Sequence, residues 1–113
     1  MKVSHVPCRV VDLGGAVGWF EEKCRHSPSF RTAQIAVFSF DAFTLILDLD
    51  SFDSAVTVGF DSADCRADFE AMVARGARVL EAPQDRPYGA RVAYLQGPGA
   101  IKIEIEQLLS QAP

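Results

Sequence analysis

The 113-residue sequence has no apolar run near the roughly 20 residues a membrane span requires, so no membrane-spanning helix is expected. The first residues, Met1-Lys2-Val3-Ser4-His5, lack the long apolar stretch of a secretory signal, and a cytoplasmic location is expected. Basic residues are not in excess: 11 Lys and Arg stand against 15 Asp and Glu, a net charge of −4. That balance argues against a nucleic-acid partner, whose phosphates require a basic face. Cysteine is scarce. Cys8, Cys24 and Cys65 form no CxxC pair and cannot all be bridged, so reduced, mostly buried thiols are expected. None has a histidine base adjacent in sequence, which argues against a catalytic thiol. No P-loop, dinucleotide fingerprint, nucleophile elbow or HExxH helix occurs, and Gly14-Gly15 is too short to cradle a phosphate.

What is present is an ordinary globular composition, with 49% hydrophobic and 23% charged residues, which excludes a disordered chain. The length fits one domain or two half-domains sharing a core, and a chain this small exposes apolar surface that a homodimer would cover. Alternation predicts a strand over Val3 to Val10, which Pro7 should place at a sheet edge or leave unpaired on that side. Asp12 caps a helix over Leu13 to Cys24, buried along Leu13, Ala16, Val17 and Phe20. Strand-forming residues then run from Phe30 to Phe40 and from Thr44 to Asp50. The order repeats: a strand over Ala55 to Asp61, a helix over Cys65 to Arg75 capped by Asp64 and stopped by Gly76, and a short strand over Arg78 to Glu81. A loop over Ala82 to Gly89, strands over Arg91 to Gln96 and Ile101 to Glu106, and a fraying tail over Leu108 to Pro113 complete the chain. An offset of 52 lays Asp12 on Asp64, Val17 on Phe69, Phe20 on Met72 and His5 on Thr57.

Period two assigns the strand faces. Val6/Cys8/Val10, Leu45/Leu47/Leu49, Val56/Val58/Phe60 and Ile101/Ile103/Ile105 form faces apolar enough to pack on helices. The opposite faces hold His5, Arg9, Asp48, Asp50, Thr57, Lys102, Glu104 and Glu106. A curved sheet would gather these into a concave surface, which is the candidate site. The competing reading is a plain solvated sheet face. Trp19 is expected to serve helix packing or a dimer contact, and His26 to be an exposed loop residue.

The repeat and its motifs resemble the glyoxalase/bleomycin-resistance/dioxygenase superfamily, the vicinal-oxygen-chelate fold. The resemblance rests on His5-Val6-Pro7-Cys8-Arg9-Val10-Val11-Asp12-Leu13 followed by Trp19-Phe20-Glu21-Glu22-Lys23, and on the run Phe69 to Val79. Pro87-Tyr88-Gly89-Ala90-Arg91 and Ile103-Glu104-Ile105 complete it, while Gly97-Pro98-Gly99-Ala100-Ile101 departs from the usual turn. It implies an α+β fold: one domain of two βαβββ units, about 1–52 and 53–113, forming a curved mixed sheet around a concave cavity with helices outside. Metal-dependent members hold a divalent ion at places that fall here on His5, Asp48, Thr57 and Glu104. Thr57 is a poor ligand for a transition metal, which leaves His5, Asp48 and Glu104. Arg9, Thr57, Tyr88, Arg91 and Lys102 would line a ligand cavity. The reading adopted is a homodimeric small-molecule-binding protein without a complete metal site. The alternative is a lyase, isomerase or dioxygenase with Glu104 catalytic, using Zn, Ni, Mn or Fe to polarise vicinal oxygens of its substrate.

Overall fold

The structure, a computed structural model, describes residues 1–109. It divides into two compact units, Met1–Val56 with Pro98–Ala100, and Thr57–Gly97 with the segment from Ile101. The first unit runs β1 (His5–Val10), α1 (Leu13–Lys23), β2 (Phe30–Arg31), β3 (Ile35–Phe40) and β4 (Phe43–Leu49). The second runs β5 (Val56–Asp61), α2 (Cys65–Ala74), β6 (Arg78–Arg86), β7 (Ala90–Gln96) and β8 (Ile101–Leu108). Hydrogen bonding gives two four-stranded sheets, ordered β1-β4-β3-β2 and β5-β8-β7-β6. Both units therefore place their first strand beside their last, in the βαβββ order expected.

Each helix begins where a short side chain takes over from the missing backbone ladder. Asp12 Oδ1 accepts from Gly15 N–H at 2.9 Å, and Asp64 Oδ1 accepts from Ala67 N–H at 3.1 Å. The ends differ. Gly76 stops α2 in the left-handed region at φ 95°, where it pays no Cβ penalty, and Ala77 N–H donates to Met72 O at 3.0 Å. After α1 the same region is forced on Arg25, at φ 55°, at a cost of about 1–2 kcal/mol for an L-residue.

The core of the first unit lies between α1 and one sheet face. Leu13, Ala16, Val17 and Phe20 of α1 meet Cys8, Val10, Ala36, Phe38, Leu45 and Leu47, all buried. Phe20 and Phe38 rings lie 5.1 Å apart, in the range where aromatic pairs add about 0.5–1.5 kcal/mol beyond area burial. In the second unit Cys65 and Met72 of α2 are buried, as are Ala93, Leu95, Ile101, Ile103 and Ile105 of the sheet. The three cysteines form no disulfide, and Cys8 and Cys65 are fully buried.

Several boundaries move for identifiable reasons. The Phe30–Phe40 run breaks into β2 and β3 because Thr32 Oγ1 accepts from Gln34 N–H at 3.1 Å and Ile35 N–H at 3.2 Å, a local turn that competes with the ladder. β6 continues to Arg86 where a loop from Ala82 was expected. It is an edge strand with register irregularities between Val79 and Gln84, the setting that tolerates Pro83. Pro7 likewise lies on an edge strand, as predicted. Leu49, expected inside, is 39% exposed because it ends its strand. Leu108 closes β8 instead of starting a tail; the remainder of that expected tail, 110–113, lies outside the described residues. His26 is half-buried, not a free loop residue: its ring stacks on Phe40 at 4.2 Å and its Nε2 sits 2.8 Å from Ser39 O.

Two stability predictions follow from this packing. Leu47→Ala and Ile103→Ala, both at fully buried positions, should each cost about 2–5 kcal/mol by equilibrium denaturation, whereas Asp48→Ala on the opposite face should cost about 1 kcal/mol or less. Arg25→Gly should raise stability by about 1 kcal/mol, because the left-handed strain relieved exceeds the entropy cost of glycine. A loss of stability in Arg25→Gly would show that the Arg25 side chain contributes more than its backbone costs.

Candidate functional site

Strand register decides which polar side chains meet. In the first unit β1 and β4 are parallel, pairing His5 with Thr44, Pro7 with Ile46 and Arg9 with Asp48. β3 adds Ser39 beside Thr44, Val37 beside Ile46 and Ile35 beside Asp48. The face opposite α1 therefore carries a hydroxyl-rich row at His5, an apolar row at Pro7, and a charged row at Arg9. His5 and Asp48 are four positions apart along the strands, roughly 13 Å at 3.3 Å per residue. They do not form a ligand pair. His5 is exposed, with its Nδ1 2.9 Å from Ser4 Oγ. Arg9 donates through Nη1 to Asp50 Oδ2 at 2.7 Å. Bonding from the Ser51 backbone N–H, and then from Arg9, holds the Asp50 carboxyl below its ordinary range.

The second unit holds the denser polar cluster. Tyr94 and Glu104 are directly paired across β7 and β8, and the Tyr94 hydroxyl donates to Glu104 Oε2 at 2.7 Å. Lys102, two residues away on the same strand face, places its Nζ 4.3 Å from the Tyr94 ring centroid. Gly59 of β5 leaves Glu104 Oε1 uncovered on its side: a Cβ there would stand 3.3 Å from that oxygen. Glu104 and Tyr94 are both half-buried, while Thr57 and Lys102 are exposed. The bond to Glu104, followed by burial and the Glu104 charge, pushes the Tyr94 phenol above its ordinary 10.0. Tyr94 is thus a neutral donor whose proton is committed to the carboxylate, and Glu104 keeps its other oxygen for an outside donor.

One expected lining residue stands elsewhere. Arg91 pairs with Gln107, and its neighbours in the same alternation, Ala93 and Leu95, pair with Ile105 and Ile103 on the buried face. Arg91 therefore lies on the helix side, where Nε donates to Asp85 Oδ1 at 2.7 Å and Nη2 to Oδ2 at 3.3 Å. This bidentate pair lowers the Asp85 pKa and raises that of Arg91. Tyr88 sits in the turn between β6 and β7 and is 65% exposed. Tyr94 and Gly59, which the sequence reading left out, carry the cluster. Alternation over β7 groups Tyr94 with Val92 and Gln96, but only the β7–β8 register puts that group on the Glu104 side.

The donor set does not fit a divalent metal. His5 and Asp48 are separated by register, and Thr57 offers a neutral hydroxyl. Among the described residues no three His, Cys, Asp or Glu side chains group as metal ligands. Burial, and secondarily the Asp53 charge, pushes the Cys8 thiol up; burial does the same to Cys65, so both stay protonated and inert.

No protein-family model matches the chain, and no curated protein matches it. Solved structures do. A glyoxalase/bleomycin resistance protein/dioxygenase from Nocardioides aligns over 99% of this chain and 86% of its own, with 22% identity and a TM-score of 0.83. A lactoylglutathione lyase from Agrobacterium tumefaciens covers 94% of this chain and 92% of its own, at 14% identity and TM-score 0.80. A bleomycin resistance determinant encoded on the transposon Tn5 covers 95% of this chain and 98% of its own, at 14% identity and TM-score 0.78. At such identities the likeness speaks to fold, and with the βαβββ order of both units it is conclusive at that level: this chain has the fold of the glyoxalase/bleomycin-resistance/dioxygenase superfamily.

Proposed function

We propose that this protein is a single-domain, homodimeric binder of a small molecule, closer in kind to the bleomycin resistance determinant than to the lyase among its structural neighbours. The ligand is anchored on the helix-free face of the second unit, and the protein works without a complete metal site. The observation that carries this reading is the Tyr94–Glu104 pair: a half-buried carboxylate held at 2.7 Å by a phenol, with one oxygen left beside side-chain-free Gly59. Polar groups held together and half-buried on a sheet face are costly unless they have a task. Glu104 accepts a hydrogen bond from the ligand. Lys102 and Thr57 border it, and Arg9 lies on the corresponding face of the first unit. The rival reading, a metal-dependent lyase, isomerase or dioxygenase, requires His5 and Glu104 to act as metal ligands.

Titration of the purified protein with Ni, Zn, Mn and Fe(II) salts separates the two. The expected result is less than one metal per two chains, unchanged in His5→Ala. Stoichiometric metal lost in both His5→Ala and Glu104→Ala would replace the binding reading with the enzymatic one. For the ligand, a thermal-shift screen over a small-molecule panel that includes bleomycin should yield a saturable stabiliser whose shift falls in Glu104→Gln. Stabilisers that ignore Glu104→Gln would place the site elsewhere.

The pair itself has a pH signature. Because the folded phenol is raised above 10.0, its contribution to stability is complete below that pH and is lost as pH climbs through the folded value. In a Tyr88→Phe background, absorbance at high pH reports Tyr94 alone of the two tyrosines. Its midpoint should lie above 10.0 and fall in Glu104→Gln, since the hydrogen bond to the carboxylate is the largest cause of the rise and the Glu104 charge adds to it. An unchanged midpoint would mean that the bond is not formed in solution.

A further inference from the structure

A cavity of about 250 Å³ lies within the first unit, among residues that the Glu104 cluster does not use. Its walls are Val10 at the end of β1, Ala16 and Trp19 of α1, and Pro98. The charged side chains lining it are Asp12 and Asp53, both acidic, and no basic side chain lines it. Each carboxylate is fixed by a backbone donor: Asp12 Oδ1 accepts from Gly15 N–H, and Asp53 Oδ1 accepts from Val11 N–H, both at 2.9 Å. Both also lie against bare backbone. A Cβ at Gly15 would collide with Asp12 Oδ2, and one at Gly99 would stand 2.8 Å from Asp53 Oδ1. One bond leaves each carboxylate with most of its acceptor capacity. Trp19 is half-buried and held edge-on by Phe20, ring centroids 5.2 Å apart.

These features select one ligand chemistry. Two carboxylates exclude an anion, and an indole adds attraction for a cation through its ring quadrupole. The start of α1 opposes a cation with about half a positive charge, which two full carboxylates outweigh. The aliphatic walls favour a hydrocarbon body. An apolar cavity of about 150 Å³ accepts benzene, so this one has room for a ring-sized molecule and not for a nucleotide. We propose that the cavity binds a small organic cation, a primary or quaternary ammonium carried on an aryl or short alkyl body. The aromatic wall gives it affinity, and Asp12 and Asp53 give it the sign of charge.

Trp19 is the single tryptophan, so its emission reports the cavity directly. The probe is benzylammonium chloride, with benzyl alcohol as its neutral match. Benzylammonium should change Trp19 emission saturably, and benzyl alcohol should bind roughly tenfold more weakly. Asp53→Asn keeps an oxygen for Val11 N–H and removes only the charge, so it should weaken benzylammonium binding by about fivefold or more. Asp12→Asn keeps a good helix cap and supplies the same test should the Asp53 variant not fold. A linear, unsaturable response overturns the proposal. So does equal binding of the alcohol and the ammonium, or an affinity that neither charge-removing variant alters.

Discussion

The parallel ladder between β1 and β4 is the constraint on which the first unit depends. It sets Cys8 against Leu47 and Val10 against Leu49, so the apolar alternation of one strand falls in step with that of the other. A slip of one residue would turn every buried side chain outward and bring the polar row under α1. The same ladder separates His5 from Asp48. One register choice therefore both builds the core and dismantles the metal set that the family resemblance implied.

The two units reach similar architecture with different local chemistry. Both helices start on an aspartate cap, but α2 ends on glycine while α1 ends on a strained arginine. The first unit packs an aromatic centre, Phe20 against Phe38, where the second uses Met72 with Ile103, Ile105 and Leu95. Hydrophobic character and approximate volume are enough to conserve a fold; the detailed fit is solved separately in each half. No charged or polar residue among those described is buried, so the energetic weight rests on apolar packing.

The surface ion pairs act as positioning devices more than as stabilisers. Arg9 with Asp50, and Arg91 with Asp85, sit at exposed places where such pairs are worth about 0–1 kcal/mol. Their effect is to commit cationic groups that would otherwise be free to meet a ligand. The second unit's open face carries Glu104 with Tyr94 and Lys102, a carboxylate braced by a phenol and flanked by an ammonium. Such a group can accept a hydrogen bond with little reorganisation, which is the basis of recognition rather than of bond-breaking chemistry.

Much of the fold was legible in the residues alone. Asp12 and Asp64 announce their helices through side chains that compete for backbone N–H groups, and Gly76 marks a stop only glycine makes without strain. Leu47 and Ile103 are buried as alternation requires, since period two leaves one side of a strand no choice once a helix covers it. What local sequence could not supply is anything carried by strand pairing. Tyr94 meets Glu104 across a hairpin, and Arg91 falls on the helix side of the same strand; both facts depend on register, a long-range property. The separation of His5 from Asp48 has the same origin. Thr32 breaks a strand run through a hydroxyl bond that composition does not reveal, and Pro83 survives inside β6 because tertiary order made that strand an edge. Sequence determined which residues are polar and where elements begin; only the folded sheets decided which polar residues share a neighbourhood, because side chains distant in sequence meet only through the ladders between strands.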